Sequence, residues 1–420
     1  MKSFAADVRL RPSAVSLALA AILALFVFEA RARWIAAPVP LKERDQSAYL
    51  EYAQSLHETN YAFVGSRNRM PIYPGILALL YRQGMPDEEF LARAQNFNIY
   101  LTAAVLLLLF VVYRCYFPAI LSLALMAMTA FGVFVTRAAI AQVEIPFYLA
   151  FFCLFLALWQ LLVRPTLSFA ALTGVLAGIT FFLKASVLPA LALFAIAYAA
   201  KANWEKRRPI WREAIPLLVV MLAFLLVVFP YIRTSKRIYG HYFHNVNSTF
   251  YFWVDSPEQV HDLRDRGRDR EGWPVLPPEE IASPQKYWRE HSIGQIAGRL
   301  FGGMARLAVR DARAEGYWKY IVLLCGAAVF FAVRRRDELR ARLRPFAPQG
   351  LFLLLFFACY YALFGWYAKL GPDSRFILTL FLPVTFTAAW AIQRLAPKNN
   401  FLAIAVSLCA AADALHRLLK

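Results

Sequence analysis

Apolar runs recur along the chain near 13–30, 96–113, 118–136, 143–163, 168–183, 186–200, 214–232, 317–333, 349–366, 376–394 and 401–416. Each approaches the roughly 20 residues an α-helix needs to cross a bilayer. The pattern predicts an all-α polytopic membrane protein of about eleven transmembrane helices. The apolar stretch over 167–200 is too long for one span and is interrupted by "LKASVLP", which predicts two helices turning at Lys184.

The polar positions between these runs are unevenly distributed. Two segments are long, 31–95 and 233–316, and the rest are short linkers. Among the short ones, "KANWEKRRPIWRE" (201–213) and "RRRDELRARLRP" (334–345) are the most basic, and "PKNN" (397–400) is basic too. Positive charge in short loops marks the cytoplasmic side. An even number of runs separates the first two, so one orientation satisfies both: N-terminus cytoplasmic, both long segments extracytoplasmic. Function concentrates in bulk that is neither span nor short linker, which places the working face outside. The expected organisation is an N-terminal transmembrane module (1–232) with a functional first outer segment, a long, partly helical outer segment (233–316), and C-terminal transmembrane helices (317–420).

Composition agrees with this class. Of the 420 residues 60% are hydrophobic and 17% charged, and mean hydropathy is +0.48, where a soluble domain would carry about a quarter charged residues. The net charge of +19 falls between apolar runs and suits anionic headgroups and topology rather than nucleic acid. The five cysteines lack metal-ligand or paired spacing, so neither disulfide nor metal site is expected from them. Lys2, Arg9 and Arg11 ahead of the first run resemble a signal peptide, and with so many runs following, a retained signal anchor is expected.

The first outer segment holds the most specific chemistry. "LKERDQSAYLEYAQSLHETN" (41–60) places Asp45 just before Tyr49, Tyr52, Ala53 and Leu56, which recur at helical spacing. A short amphipathic helix along the membrane surface is predicted. Asp45 then has two readings, an N-cap accepting backbone N–H bonds or a functional acid. Next, Arg67 and Arg69 precede "MPIYPGILALLY", an apolar segment too short to span that Pro71 and Pro74 would open as a second interfacial helix. Arginines beside a helix start can bind an anion or meet lipid phosphates.

The order of these features resembles the GT-C membrane glycosyltransferases, in particular the protein-mannosyltransferase and lipid A aminoarabinose-transferase group. One span is followed by an Asp with "xxxYLxxA", then a basic residue and "xPxYPxxLALLYR". "TRAAIAQVEIPFYLAFF" (136–152) resembles the loop carrying that group's second acid, here Glu144. "GVLAGITFFLKASVLPALALF" (174–194), "PYIRTSKRIYGHYFHNVNSTFYFWVDSP" (230–257) and "GPDSRFILTLFLPV" (371–384) resemble a helix pair, the start of the long outer loop and a late span. The likeness is loose in each motif and specific in their order. It departs from the group at Arg69-Met70-Pro71, where Lys-Pro-Pro is usual, and at Glu43-Arg44-Asp45, which lacks an acidic doublet.

The resemblance implies transfer of a sugar from a polyprenyl-phosphate donor to an acceptor hydroxyl on a glycan, lipid or protein, at the outer face of a bacterial inner membrane. It implies Asp45 as base with Glu144 assisting, and Arg69, Lys184, Arg233 and Arg375 as ligands of the donor phosphate. Tyr49 and Tyr73 are the matching candidates for substrate contact. No cofactor is expected, with room left for a divalent metal, and the partners would be the lipid donor, the acceptor and membrane lipids, for a monomer. Plainer roles compete: snorkelling at helix ends for Lys184 and Arg233, an ion pair with Asp373 for Arg375, and a helix N-terminal acid for Glu144. Two other functions fit the same spans, a flippase or transporter of a lipid-linked substrate, and an O-antigen ligase or polymerase-type enzyme. In the long outer segment "HDLRDRGRDREGW" (261–273) reads as a solvated charge-paired stretch. "NSTFYFW" (247–253) and "KYWREH" (286–291) could stack on sugars or anchor at the interface. His241, His244, His261 and His291 share that segment without metal-like spacing.

Overall fold

A computed structural model of the chain describes residues 11–63, 65, 67–205, 210–265, 276–277, 279–314, 317–334, 347–370, 374–396 and 400–418. Among these residues every regular element is helical. Helix α1 (Pro12–Ala36) starts on a proline, whose missing N–H is harmless in a first turn. Two short helices follow, α2 (Gln46–Glu58) and α3 (Ile72–Ala78), then α4 (Asp87–Arg114). That helix carries Asp87, Glu88 and Glu89 in its first turn and Arg114 in its last, each matched to the helix dipole.

Helix α5 (Ala119–Thr129) runs on through a π-turn at Ala130–Phe134, and α6 (Glu144–Val163), α7 (Leu167–Leu183), α8 (Leu188–Glu205) and α9 (Ile210–Tyr239) complete the N-terminal half. Beyond them come α10 (Val246–Thr249), α11 (Pro257–Asp265), α12 (Pro284–Glu290) and α13 (Ile293–Ala314). The last elements are α14 (Trp318–Arg334), α15 (Ala347–Tyr367), α16 (Arg375–Leu378), α17 (Phe381–Leu395) and α18 (Asn400–Leu418).

Every apolar run in the sequence is helical. Seven helical stretches among the described residues are long and apolar enough to cross a membrane: α1, α4, α6, Ala185–Ala202, Ala214–Tyr239, α15 and α18. The chain is a multi-pass membrane protein by this measure. The others are shorter. The expected span over 376–394 is split into α16 and α17 because Pro383 has no N–H to return to the Thr379 carbonyl four residues back. The turn expected at Lys184 is present: Lys184 is extended between the end of α7 and a 3₁₀ turn at Ala185–Val187.

Among its described residues the segment over 233–316 is more helical than its composition suggests. Helix α9 continues past residue 232 to Tyr239, and α13 is 22 residues long. Helix α13 lies against α15 where Gly303 meets Gly365, and a Cβ on Gly303 would overlap the Gly365 carbonyl oxygen. Helices α7 and α9 approach in the same manner at Gly174, whose Cβ would overlap the Val220 carbonyl oxygen. Close backbone approach at small residues is how helices associate where lipid supplies no hydrophobic drive.

An aromatic seam forms the centre of the bundle. Phe155 of α6 packs tilted against Phe356 of α15 with centroids 4.9 Å apart, and Trp159 meets Trp390 of α17 at 4.8 Å. The same seam fixes polar turns above it. The Tyr360 hydroxyl donates to the Ser186 carbonyl at 2.8 Å and accepts from the Ala190 amide at 3.2 Å, pinning the turn after Lys184 to α15. The basic stretches 206–209 and 335–346, much of the charged run after 265, and Asp373 lie outside the described residues.

Candidate functional site

Gln46 is wholly buried immediately after Asp45, and it ties the segment between α1 and α4 to the loop before α6. Its Nε2 donates to the Pro40 carbonyl at 3.0 Å, while its Oε1 accepts from the Ala141 amide at 2.9 Å and from Gln95 at 3.1 Å. Asn98 holds the same loop from α4 by donating to the carbonyls of Ala138 (3.0 Å) and Ile140 (2.7 Å). Buried amides without these partners would each cost about 1–3 kcal/mol, so the network fixes where Asp45 and Glu144 stand.

Asp45 precedes α2 at the N-cap position, but its side chain makes no capping bond and its backbone is left-handed (φ 64°). The carboxylate is engaged elsewhere. Oδ1 pairs with Arg69 at 3.0 Å and Oδ2 with Arg375 at 2.6 Å. Arg375 also approaches Glu144 Oε1 at 3.9 Å, and Lys184 Nζ reaches that same oxygen at 3.5 Å. Five side chains from five separate segments thus form one charged cluster. The Glu144 side chain is only 6% exposed, and its Oε2 has no hydrogen-bond partner among the described residues.

The cluster is braced from behind. Arg69 Nη1 donates to Asn68 Oδ1 at 3.1 Å, and Asn247 of α10 donates to that oxygen at 2.8 Å. The carbonyl of Arg375 accepts from the Tyr148 hydroxyl at 2.7 Å, and Ser374 accepts from Arg137 at 2.6 Å. Burial tends to raise the Asp45 carboxyl, but Arg69 and Arg375 beside it outweigh that and hold it below the ordinary carboxylate range.

Compared with known proteins, the chain matches no protein-family model, no curated protein and no solved structure. What the site can do therefore follows from its own residues.

Of the residues singled out in the sequence, Asp45, Arg69, Glu144, Lys184 and Arg375 meet in the cluster. Arg233 does not: it is exposed on α9 while its neighbours Ile232 and Ser235 are buried. Tyr49 lies beneath Arg69, with the guanidinium carbon 5.4 Å from its ring centroid. Tyr73 is 0% exposed and bonds Asn98 Oδ1 at 3.1 Å, so it is a packing residue where substrate contact was expected. Arg67, read with Arg69 as an anion fork, instead stacks on Tyr231 at 3.4 Å and is buried.

The segment over 233–316 contains a second assembly that its sequence did not reveal. Asp255 accepts from His291 Nε2 at 2.6 Å, from the Tyr287 hydroxyl at 3.1 Å and from Arg299 at 3.3 Å. The Arg299 guanidinium lies 4.2 Å from the Trp366 ring centroid. These bonds staple α12 and α13 to α15, and the aromatics of "NSTFYFW" and "KYWREH" pack into the staple through Phe252, Trp253 and Tyr287. His244 is stacked on Tyr239 with centroids 4.1 Å apart, and burial pushes its imidazole down to about 4, which keeps it neutral. Among the described residues no group of His, Cys, Asp and Glu converges to hold a metal ion.

Proposed function

We propose that the protein is a GT-C-type glycosyltransferase that moves a sugar from a polyprenyl-phosphate donor to an acceptor hydroxyl of a cell-envelope glycan or glycolipid. The observation that carries the reading is the Asp45 carboxylate set between Arg69 at 3.0 Å and Arg375 at 2.6 Å, with Lys184 and Glu144 adjoining. Three cations and two carboxylates leave one positive charge, which suits a ligand carrying one negative charge, such as a phosphodiester.

In the proposed reaction the acceptor oxygen attacks the anomeric carbon. The acceptor proton passes to Asp45, a C–O bond forms to the sugar, and the bond from the anomeric carbon to the phosphate oxygen breaks. The lipid phosphate leaves with the electron pair, its charge going from one to two negatives as Asp45 becomes neutral. Arg69, Arg375 and Lys184 stabilise that developing charge. Glu144 orients Lys184 and offers its open Oε2 to the acceptor hydroxyl. All eleven apolar helices cross the membrane in this reading, with the N-terminus cytoplasmic and the site outside.

The test is transfer from radiolabelled polyprenyl-phosphate sugars to membrane acceptors by purified protein. Asp45→Asn should lose about 10²–10⁴-fold in rate, the range for a general base. Equal transfer by both proteins would remove Asp45 as base. Scrambling of lipid in liposomes without any transfer would favour a flippase.

A further inference from the structure

Asp45 sits where a donor phosphate would have to sit. Each of its oxygens is taken by a different guanidinium, Oδ1 by Arg69 and Oδ2 by Arg375, and a carboxylate held in this way is a poor proton acceptor. We propose that Asp45 occupies the phosphate seat in the resting protein, and that the donor phosphate displaces it from Arg69 and Arg375, which frees the carboxylate to act as base. This rests on the reading given under Proposed function and adds a competition to it.

Two observations point the same way. The arginines are anchored and the carboxylate is not. The Arg69 guanidinium donates to Asn68 Oδ1 and the backbone of Arg375 is held by the Tyr148 hydroxyl, whereas the ion pairs of the Asp45 side chain run to the two arginines and none of its bonds caps α2. Its side chain is also 36% exposed against 18% and 20% for its partners, so it has room to swing away.

Second, the carboxylate underfills the seat. Arg69 Nε is buried and has no hydrogen-bond partner among the described residues, and Lys184 is held by Glu144 Oε1 at 3.5 Å and by the Phe147 and Phe376 rings, with no ion pair to Asp45. A phosphodiester sets its two unesterified oxygens and two ester oxygens tetrahedrally around a larger phosphorus, so it can meet both guanidiniums and still reach toward Lys184. The exchange has a consequence as well: without phosphate, the base is tied up and does not activate water.

The competition makes an unusual prediction, that the variant lacking the base binds the donor headgroup better. Farnesyl phosphate binding would be measured on the full-length protein in detergent for wild type, Asp45→Asn and Asp45→Glu. Removing the competing charge in Asp45→Asn should tighten binding about tenfold, the scale of losing one close like charge, while Asp45→Glu, which keeps the charge, should show no such gain. Inorganic phosphate should give the same ordering, since the exchanged group is the phosphate, and farnesol should give none. Equal or weaker binding by Asp45→Asn, with wild type still binding, would overturn the exchange and leave the transferase reading intact. A matching gain for farnesol would assign the effect to the tail and also overturn it. If none of the three proteins binds farnesyl phosphate, the exchange falls together with the reading it rests on.

Discussion

At position 45 the backbone lies in the left-handed region, and so does Arg44 before it. Aspartate and asparagine are among the few non-glycine side chains that tolerate this conformation. Asp45→Asn is therefore a clean chemical probe that changes charge and leaves the turn in place. The depressed carboxyl also has a signature in stability. Its folded value lies below the ordinary unfolded value of about 4, so its contribution is complete above that pH and is lost as pH falls through the folded value. The difference in melting temperature between wild type and Asp45→Asn should be constant near neutrality and shrink below about pH 4. A difference that persists unchanged to the acid limit of the assay would show that the arginine pairs do not stabilise the fold. The sequence made the acid and its cations visible as residue types in order, but not who pairs with whom. Arg375 was weighed against Asp373 two residues away, and its partner is Asp45, 330 residues distant. Arg233 lies away from the cluster because its place near a helix end does not set which face of α9 turns inward; packing of Ile232 and Ser235 does.

Helices were the most legible elements, because apolar length alone decides them, and the turn at Lys184 was equally plain from the polar break in a doubled run. What apolar length could not reveal was the break before α17, set by one proline, or the length of α13. That helix carries arginines and glycines and has no continuous apolar run. Its glycines divide into two kinds. Gly303 faces the backbone of α15, while a Cβ on Gly302 would meet nothing within 4 Å. Gly303→Ala should destabilise the protein by about 1–3 kcal/mol through overpacking. Gly302→Ala should be neutral or slightly stabilising, by up to about 1 kcal/mol from helix propensity. Thermal unfolding of the two variants side by side checks this, and equal losses in both would mean that the α13–α15 contact does not govern the helix.

At the scale of the whole molecule, the proposed orientation is read from which end of the bundle is reached from outside the cell. The cluster and the start of α4 belong to one end of the bundle, and Cys115, an exposed free thiol just past the end of α4, belongs to the other. With the cluster outside the cell, a membrane-impermeant maleimide applied to intact spheroplasts should label a Lys42→Cys protein at position 42, which is exposed, and spare Cys115 until the cells are opened. The reverse pattern would invert the topology and put the site in the cytoplasm.

The Asp45–Arg375 pair also sets a clock. A ribosome adding roughly 5–20 residues per second exposes Asp45 and Arg69 within moments of each other, then needs on the order of 20–60 seconds more, at that same pace, before Arg375 is made. Through that interval the nascent chain holds one half of the clamp. A chain released before that arginine, whatever helices it has already inserted, holds Asp45 and Arg69 without the partner that completes their cluster.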